Sequence, residues 1–589
     1  MTQGASKRGG RFRRSQLAMA AVFAGLAGTA SAQAPAPAPA PTPAPAPLTA
    51  APAPVFAIKG FKITGENPLG DGDTSRILAP YLRADANMDT LQKATSALEE
   101  ALRAKGFGLH RVALPPQEVG DTVTLEIVKF TISKLTIEGA SLYSEANVRR
   151  SIPELREGHT PNFKTMAVQT AIANENPNKQ VQVGIKEAEE PDKIDATLTV
   201  KESRPWTFAL ALSNGGSESS GKDRFTVTGG HTNLFDLDHQ FTGAYTTSIE
   251  RFSDVKQLGL QYRVPLYTLG GVLGLSYTRS DVVGNFGVFT STGAGHTFGA
   301  TYTAYLPPEG GRRSYVTMGF DDKVFNASKI NDIPVPGQVT RRSRPVTLGY
   351  NARTESDTSV WGYNVELAAN TSSGTGNDLA SYQTEDPRIT TTRWKALRAG
   401  INYSASFAGN WLWSARSQMQ YSPDVLISGE QFGIGGSTSV RGTESERPIS
   451  GDRGLSASLE VTTPEFLPGL RLAGFVDAGW LSNNNPNGTS KPSSDRLAGL
   501  GLGLRYGNGP VSITADYGRL VRGSNVPLTI NTGSPQKGDE KLYPTCRCGS
   551  ERHGRFAGRR AHPRLAHGAQ PVQGAGGCFF RRRFVSHPV

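Results

Sequence analysis

Arg441 stands in the stretch GGSTSVRGTESERP, residues 435–448, among glycines and short hydroxyl side chains. A guanidinium presents a planar fork of donors that matches a carboxylate or a phosphate. The stretch reads either as a solvated surface loop or as a loop that folds back on itself and grips something through Arg441. Other spacings suggest chemistry and then fail on inspection. GSESSGKD (216–223) nearly fits the phosphate-binding pattern G-x-x-x-x-G-K-[ST], but Asp223 occupies the place of the magnesium-holding hydroxyl, and the stretch joins two strands instead of opening a helix. Cys546-x-Cys548 with His553 has metal-ligand residue types, yet it lies in a segment unlike the rest of the chain. The body of the chain holds only five scattered histidines and no convergent Ser/His/Asp or paired-acid set. No enzyme activity, nucleotide, cofactor or metal is expected.

Which reading of Arg441 holds depends on the body that carries it. The chain has 589 residues and a net charge of +12, which taken alone suggests a nucleic-acid or membrane-surface partner. Residues 1–32 contribute +5 and residues 544–589 contribute +8 (nine Arg against Glu551), leaving 12 − 5 − 8 = −1 for the 511 residues between. A body without net positive charge excludes nucleic acid as the expected partner. All three cysteines also fall after residue 544, so the body is compatible with an oxidising compartment without needing disulfides.

The N-terminus reads as a secretory signal peptide over residues 1–32: a basic start, LAMAAVFAGLAGTA, and the small-x-small site Ala30-Ser31-Ala32. Residues 33–54 alternate Ala and Pro, an extended spacer that cannot form a helix. Two similar units follow, 55–130 and 131–203. In the first, the strand FAIKGFKITG precedes a short helix around Ile77–Leu82. A longer helix then carries Leu91, Ala94, Leu98 and Leu102 on one face, with Gly106 as its stop. Two strands, LHRVALPPQ and DTVTLEIVKF, complete the unit. The second unit repeats the β-α-α-β-β order, with helices near Glu145–Ile152 and Phe163–Ala173. From residue 204 to 543 helical periodicity disappears. Alternating segments such as HQFTGAYTTSIE and GLSASLEVTTP, each about ten residues long, predict a transmembrane antiparallel β-barrel of about 16 strands. Trp411 and Trp413 share a face near a strand end, as an interfacial aromatic girdle requires. The fold class is therefore β-dominated, with two small α+β modules ahead of the barrel.

Several stretches carry a family resemblance. LPPQEV (114–119) resembles the proline-glutamine turn of a first POTRA module. RPWTFALALSNGGSESSGKDRF (204–225) resembles a first barrel hairpin, and YRVPL (262–266) a later strand end. SGEQFGIGGSTSVRGTESERPISGDRG (428–454) matches an inward-folded loop, and FVDAG (475–479) its partner strand motif Phe-x-Asp-x-Gly. In this order they identify residues 55–543 as similar to two-partner secretion transporters of the hemolysin-activator type, in the POTRA-plus-barrel superfamily. The resemblance implies an outer-membrane location in a Gram-negative bacterium, with POTRA modules in the periplasm that bind a secreted client, such as a hemolysin or adhesin bearing an N-terminal secretion domain. It also implies outer-membrane lipid and, during biogenesis, the barrel-assembly machinery as partners. An assembly or insertion factor of the same superfamily is the alternative, and a passive porin the more distant one.

By the same resemblance Arg441 of Val440-Arg441-Gly442 reaches inside the barrel to Asp477, which Phe475 and Gly479 flank, while Gly435, Gly436 and Gly442 let the loop bend. A facing carboxylate would restore what a guanidinium loses on leaving bulk water. Two departures stand out. Thr443 replaces the aromatic that commonly follows Val-Arg-Gly, which removes a stacking group at the tip. The Ala-Pro run replaces an N-terminal helix that often plugs the pore, so a barrel without a helical plug and with a larger resting conductance is expected.

After Tyr543 the composition changes abruptly to PTCRCGSERHGRFAGRR, and no alternating strand ending in Phe is legible. A two-base shift in the codons from Pro544 permits His-Val-Ser-Val-Arg-Phe-stop. Residues 544–589 are therefore read as a basic tail out of frame, and a barrel lacking its last strand is expected to leave an open seam. Resequencing around codon 544 decides between a frameshift and a genuine extension.

Overall fold

The computed structural model describes residues 55–549, apart from 119, 219, 254, 287, 292, 328, 331–332, 487–490 and 528–532. The signal peptide, the Ala-Pro run and residues 550–589 lie outside the described residues, and with them the expectation about a plug helix.

The first module is β1 (Gly60–Gly65), α1 (Asp71–Leu78), α2 (Met88–Ala104), β2 (His110–Ala113) and β3 (Thr122–Lys129). Its sheet has the order β1-β3-β2, with β1 parallel and β2 antiparallel to the central β3. The first helix starts earlier than periodicity suggested, at Asp71, because Asp71 and Asp73 occupy its first turn, where carboxylates favour the helix dipole. Asn87 opens α2 with a capping box shared with Thr90. Leu91, Ala94, Leu98 and Leu102 are all sealed against the sheet. Gln117 of the Pro-Gln turn behaves like a piece of backbone. Its amide accepts from Thr124 N at 2.7 Å and donates to Thr124 O at 2.8 Å, covering a stretch of β3 that β2 does not reach.

The second module repeats the plan: β4 (Thr131–Glu138), α3 (Glu145–Ser151), α4 (Phe163–Ala173), β5 (Lys179–Glu187) and β6 (Lys193–Glu202), in the order β4-β6-β5. The modules interlock where α2 stops. Gly106, at φ +98°, leaves its carbonyl to accept Phe163 N at 2.8 Å, and a Cβ there would strike the Asn162 side chain.

Sixteen antiparallel strands then close a barrel. The first eight are β7 (Trp206–Ser213), β8 (Arg224–Leu234), β9 (His239–Thr247), β10 (Gln257–Leu266), β11 (Gly271–Ser280), β12 (Gly295–Tyr305), β13 (Arg312–Phe325) and β14 (Arg341–Glu355). The second eight are β15 (Ser359–Thr371), β16 (Lys395–Phe407), β17 (Trp411–Tyr421), β18 (Arg453–Thr462), β19 (Leu470–Ser482), β20 (Ser494–Asn508), β21 (Val511–Arg522) and β22 (Glu540–Gly549). Period-two patterning explains their two faces: Phe208, Leu210 and Leu212 point outward, as do Leu455, Leu459 and Val461, while Ser456 and Ser458 are buried inside. Trp411 and Trp413 sit on the outer face and pair with Phe407 and Tyr403 of the neighbouring strand. The decoy stretch GSESSGKD lies in the loop between β7 and β8, where Asp223 accepts from Ile249 N and Glu250 N of the next loop.

The seam differs from expectation. Residues 544–549 are not part of a tail. They form the second half of β22, which pairs with β21 and, from Thr545↔Ser213 to Gly549↔Ala209, with β7, closing the barrel. The physical reason is that ladder hydrogen bonds come from the backbone, and Pro-Thr-Cys-Arg-Cys still alternates. Pro544, Cys546 and Cys548 are exposed on the outer face, with Thr545 and Arg547 between them on the inner one. Pro544, which has no N–H to give, precedes the first residue paired with β7.

The second module is fastened to the barrel through the turn between β8 and β9. Lys179, with no side-chain exposure, forms an ion pair with Asp238 (3 % exposed). It also donates to Asn147 Oδ1 at 2.8 Å. Tyr267 OH donates to Asp238 Oδ2 at 2.7 Å, and Arg263 bonds Glu175 at 2.7 Å beside them. Tyr267, Val272 and Tyr305 of the barrel join the hydrophobic core of the module. Among the described residues no helix is long and apolar enough to cross a membrane.

Candidate functional site in the barrel lumen

Residues 422–452 join β17 to β18 and fold inward, with a small hairpin pairing Phe432–Ile434 to Ile449–Gly451. Asp452, fully buried, gathers the two ends of this loop by accepting from Leu426 N at 2.8 Å, Gln431 Nε2 at 3.2 Å and Asn484 N at 2.9 Å. The hairpin lies on β19: Gly479 is where it is because a Cβ there would come within 2.8 Å of Ile434. Val440, also fully buried, seats the tip among Ile434, Leu481, Leu497 and Leu520.

At the tip Arg441 meets Asp477 in a fork-to-fork pair, Nε to Oδ2 at 2.7 Å and Nη2 to Oδ1 at 2.9 Å. The Arg441 backbone N–H also donates to Asp477 Oδ2 at 3.1 Å, so one carboxylate fixes both main chain and side chain. The two side chains are 4 % and 0 % exposed. The remaining donors reach Glu460 at 3.0 Å, Asp516 at 3.4 Å and Ser458 Oγ at 3.3 Å, while Arg505 bridges Glu460 at 3.1 Å and Asp516 at 2.6 Å. Two guanidiniums thus sit among three carboxylates. Phe475 lies under Arg441, with the guanidinium carbon 3.3 Å from the ring centroid. Ionised groups at this depth are tolerable only when each is paired and hydrogen-bonded, and these are.

Sequence reasoning placed Arg441, Asp477, Phe475, Gly479 and Val440 together, and the structure brings them together. Gly435, Gly436 and Gly442 have φ of +106°, +91° and +118°, a region that side chains disfavour. The missing aromatic after Val-Arg-Gly is compensated from the wall. Tyr543 of β22 accepts from Gly442 N at 3.1 Å and donates to the Thr443 carbonyl. Thr443 itself is buried, and its hydroxyl accepts from Gly436 N at 2.6 Å.

Other members were missed. Glu460, Arg505 and Asp516 are charged residues on the inner face of barrel strands, and that pattern was available as a signal. Gly499 and Gly518 carry no such signal in one sequence. A Cβ at Gly499 would come within 2.3 Å of the Arg441 carbonyl, and one at Gly518 within 2.8 Å of the same backbone, so the loop tip rests on bare main chain. No cluster of metal-ligating side chains is present among the described residues.

Comparison with known proteins agrees with this geometry. Residues 192–506 match the family described as haemolysin secretion/activation protein ShlB/FhaC/HecB, and residues 56–129 match the ShlB-type POTRA domain. The chain is 24 % identical over 460 residues to the outer membrane transporter CdiB of Dickeya dadantii, covering 75 % of this chain and 79 % of that protein. It is similarly 24 % identical over 478 residues to CdiB of Escherichia coli, covering 78 % of each. Among solved structures, CdiB from Escherichia coli superposes with a TM-score of 0.66 at 19 % identity, covering 86 % of this chain and 92 % of that one. CdiB from Acinetobacter baumannii gives 0.63 at 18 %, covering 84 % and 90 %. A closed 16-strand barrel, two POTRA modules and a family match over more than half the length place the protein in the outer membrane with its modules in the periplasm, as a transporter of two-partner secretion; the assembly-factor alternative is not favoured. The chain belongs to the haemolysin secretion/activation family, ShlB/FhaC/HecB.

Proposed function

We propose that the client is one large, unfolded, β-solenoid-forming protein with an N-terminal secretion domain, met in the periplasm by the POTRA modules and threaded outward past the inward loop. Extended segments of such a client can add to a sheet edge. The second half of β5, an edge strand exposed from Gly184 to Glu187, is suited to this. Folding of the client outside would then prevent its return, since no nucleotide motif is available to drive the step. The single observation that supports a working role for the loop is the buried, bidentate Arg441–Asp477 pair, which holds a flexible glycine-rich segment in the lumen against its own entropy. The partners expected during biogenesis are outer-membrane lipid and the barrel-assembly machinery.

The test is to search the neighbouring genes for a very long, repeat-rich secreted protein and to co-express it with this transporter. Release of that protein into the medium with the wild-type transporter, and its retention in the periplasm when residues 56–129 are deleted, is the expected result. Equal release with and without the transporter would reject the reading.

A further inference from the structure

The inward loop is held at a second point, on a different arc of the barrel wall from the first. Glu430, in the loop stem, has a side chain only 1 % exposed. Its carboxylate receives Lys323 Nζ of β13 at 3.1 Å, Ser343 Oγ of β14 at 3.1 Å and Arg398 Nη2 of β16 at 2.9 Å. Its main-chain carbonyl accepts Gln420 Nε2 at 3.0 Å. Arg441, by contrast, presses on Gly499 of β20 and Gly518 of β21. In the barrel order the Glu430 partners lie on β13, β14, β16 and β17 and the Arg441 partners on β18–β21, so the two points hold the loop to separate arcs of the wall.

The two ends differ in what each would leave behind on release. Lys323 has Asp321 at 3.6 Å and Arg398 has Glu366 at 3.1 Å, so both cations keep a carboxylate if Glu430 departs, and Glu430 alone must be rehydrated. Asp477 has no other cation among the described residues, so freeing Arg441 would strand a fully buried carboxylate. We propose that Glu430 is a positioning residue that ties the loop stem to the β13–β16 arc of the wall, making the loop a strap between two arcs of the lumen whose Glu430 end is the one released for transport. With that end free, the strap can lie back on β18–β21 and leave the β10–β14 side open. This rests on the reading of the barrel as an export pore.

Single-channel conductance of the full chain in planar bilayers with KCl reads the tie without any client. Glu430→Gln keeps the shape and removes the charge; it should raise the resting conductance severalfold while the protein still shows heat-modifiable mobility on gels. Lys323→Gln with Arg398→Gln, which removes both cations from the wall side of the tie, should raise it likewise. An unchanged conductance in Glu430→Gln, or in the variant lacking both cations, would overturn the proposal. Should Glu430→Gln fail to assemble, a locked strap tests the same idea. Glu430→Cys and Ser343→Cys, in a chain with Cys546→Ser, Cys548→Ser and Cys578→Ser, are joined by a short bifunctional maleimide. Export of the co-expressed client should stop in the locked protein and continue in the unlinked one, and wild-type export by the locked protein would reject release at this end. Absence of export by the wild type would undo the export reading instead, leaving the conductance result to stand by itself.

Discussion

Two cation–aspartate pairs are sealed from water among the described residues, Arg441–Asp477 in the lumen and Lys179–Asp238 at the joint between the second POTRA module and the barrel. Both are nearly without exposure, yet they are built differently. Arg441 spreads its donors over Asp477, Glu460, Asp516 and Ser458 and stacks on Phe475. Lys179 is a point charge shared between Asp238 and Asn147, with the Tyr143 ring 5.4 Å away. Burial is the main reason its pKa falls below the ordinary 10.5, with Asp238 only partly offsetting this. The comparison teaches that geometry decides what a buried pair can do. A forked guanidinium in a network specifies one position for a mobile loop, whereas a single ammonium closes an interface whose shape the hydrophobic core already dictates.

The largest expected effect falls on the lumen. Arg441→Ala leaves Asp477 buried and unpaired, a loss of about 3–5 kcal/mol for the docked loop. The barrel should still insert and resist heat, because its ladder is backbone, but export should drop at least about tenfold. Wild-type export by this variant would break the comparison.

The joint should answer next. Lys179→Met strands Asp238 at a cost near the lower end of the same range, about 3 kcal/mol, so limited proteolysis between module and barrel should accelerate about 100-fold. Adding Asp238→Asn, which removes the stranded charge, should recover most of the protection. If the double variant is cleaved as fast as the single one, the pair does more than neutralise charge.

A smaller effect sharpens the contrast from the wall side. Gly518→Ala places a Cβ within 2.8 Å of the Arg441 backbone. Overpacking of this kind costs about 1–3 kcal/mol, and export should fall severalfold without loss of assembly. Alanine at Gly507, where a Cβ meets nothing within 4 Å, is the matched control.

The smallest effect is in pH. The folded pKa of Lys179 is depressed, so between that value and 10.5 the undocked state binds more protons than the docked one. Docking therefore gains slightly as pH rises through this window. Proteolytic protection of the joint, wild type minus Lys179→Met, should hold or increase from pH 7 to pH 9.5. A decline would mean that the lysine charge stabilises the joint.

The Phe163–Ala173 helix, the apolar face Leu91–Ala94–Leu98–Leu102 and the alternation of strands such as β18 were legible because a helix and a strand each impose a fixed period on residues that share a face. The Arg441–Asp477 pair was legible only through resemblance, since 36 positions separate its members and no period links them. The closing strand escaped notice because its side chains are atypical while its hydrogen bonds are not.

What the sequence by itself determined about this protein is therefore local and periodic: a secretory start, two β-α-α-β-β modules and a run of two-faced strands. Only the tertiary structure decided that residues 544–549 close the cylinder, that Glu430 and Arg441 reach different arcs of the wall, and that Gly499 and Gly518 make room for the loop. The reason is physical. Periodicity records which face a residue belongs to, but which distant residues meet across a lumen follows from strand number, register and curvature, and these exist only once the barrel has closed.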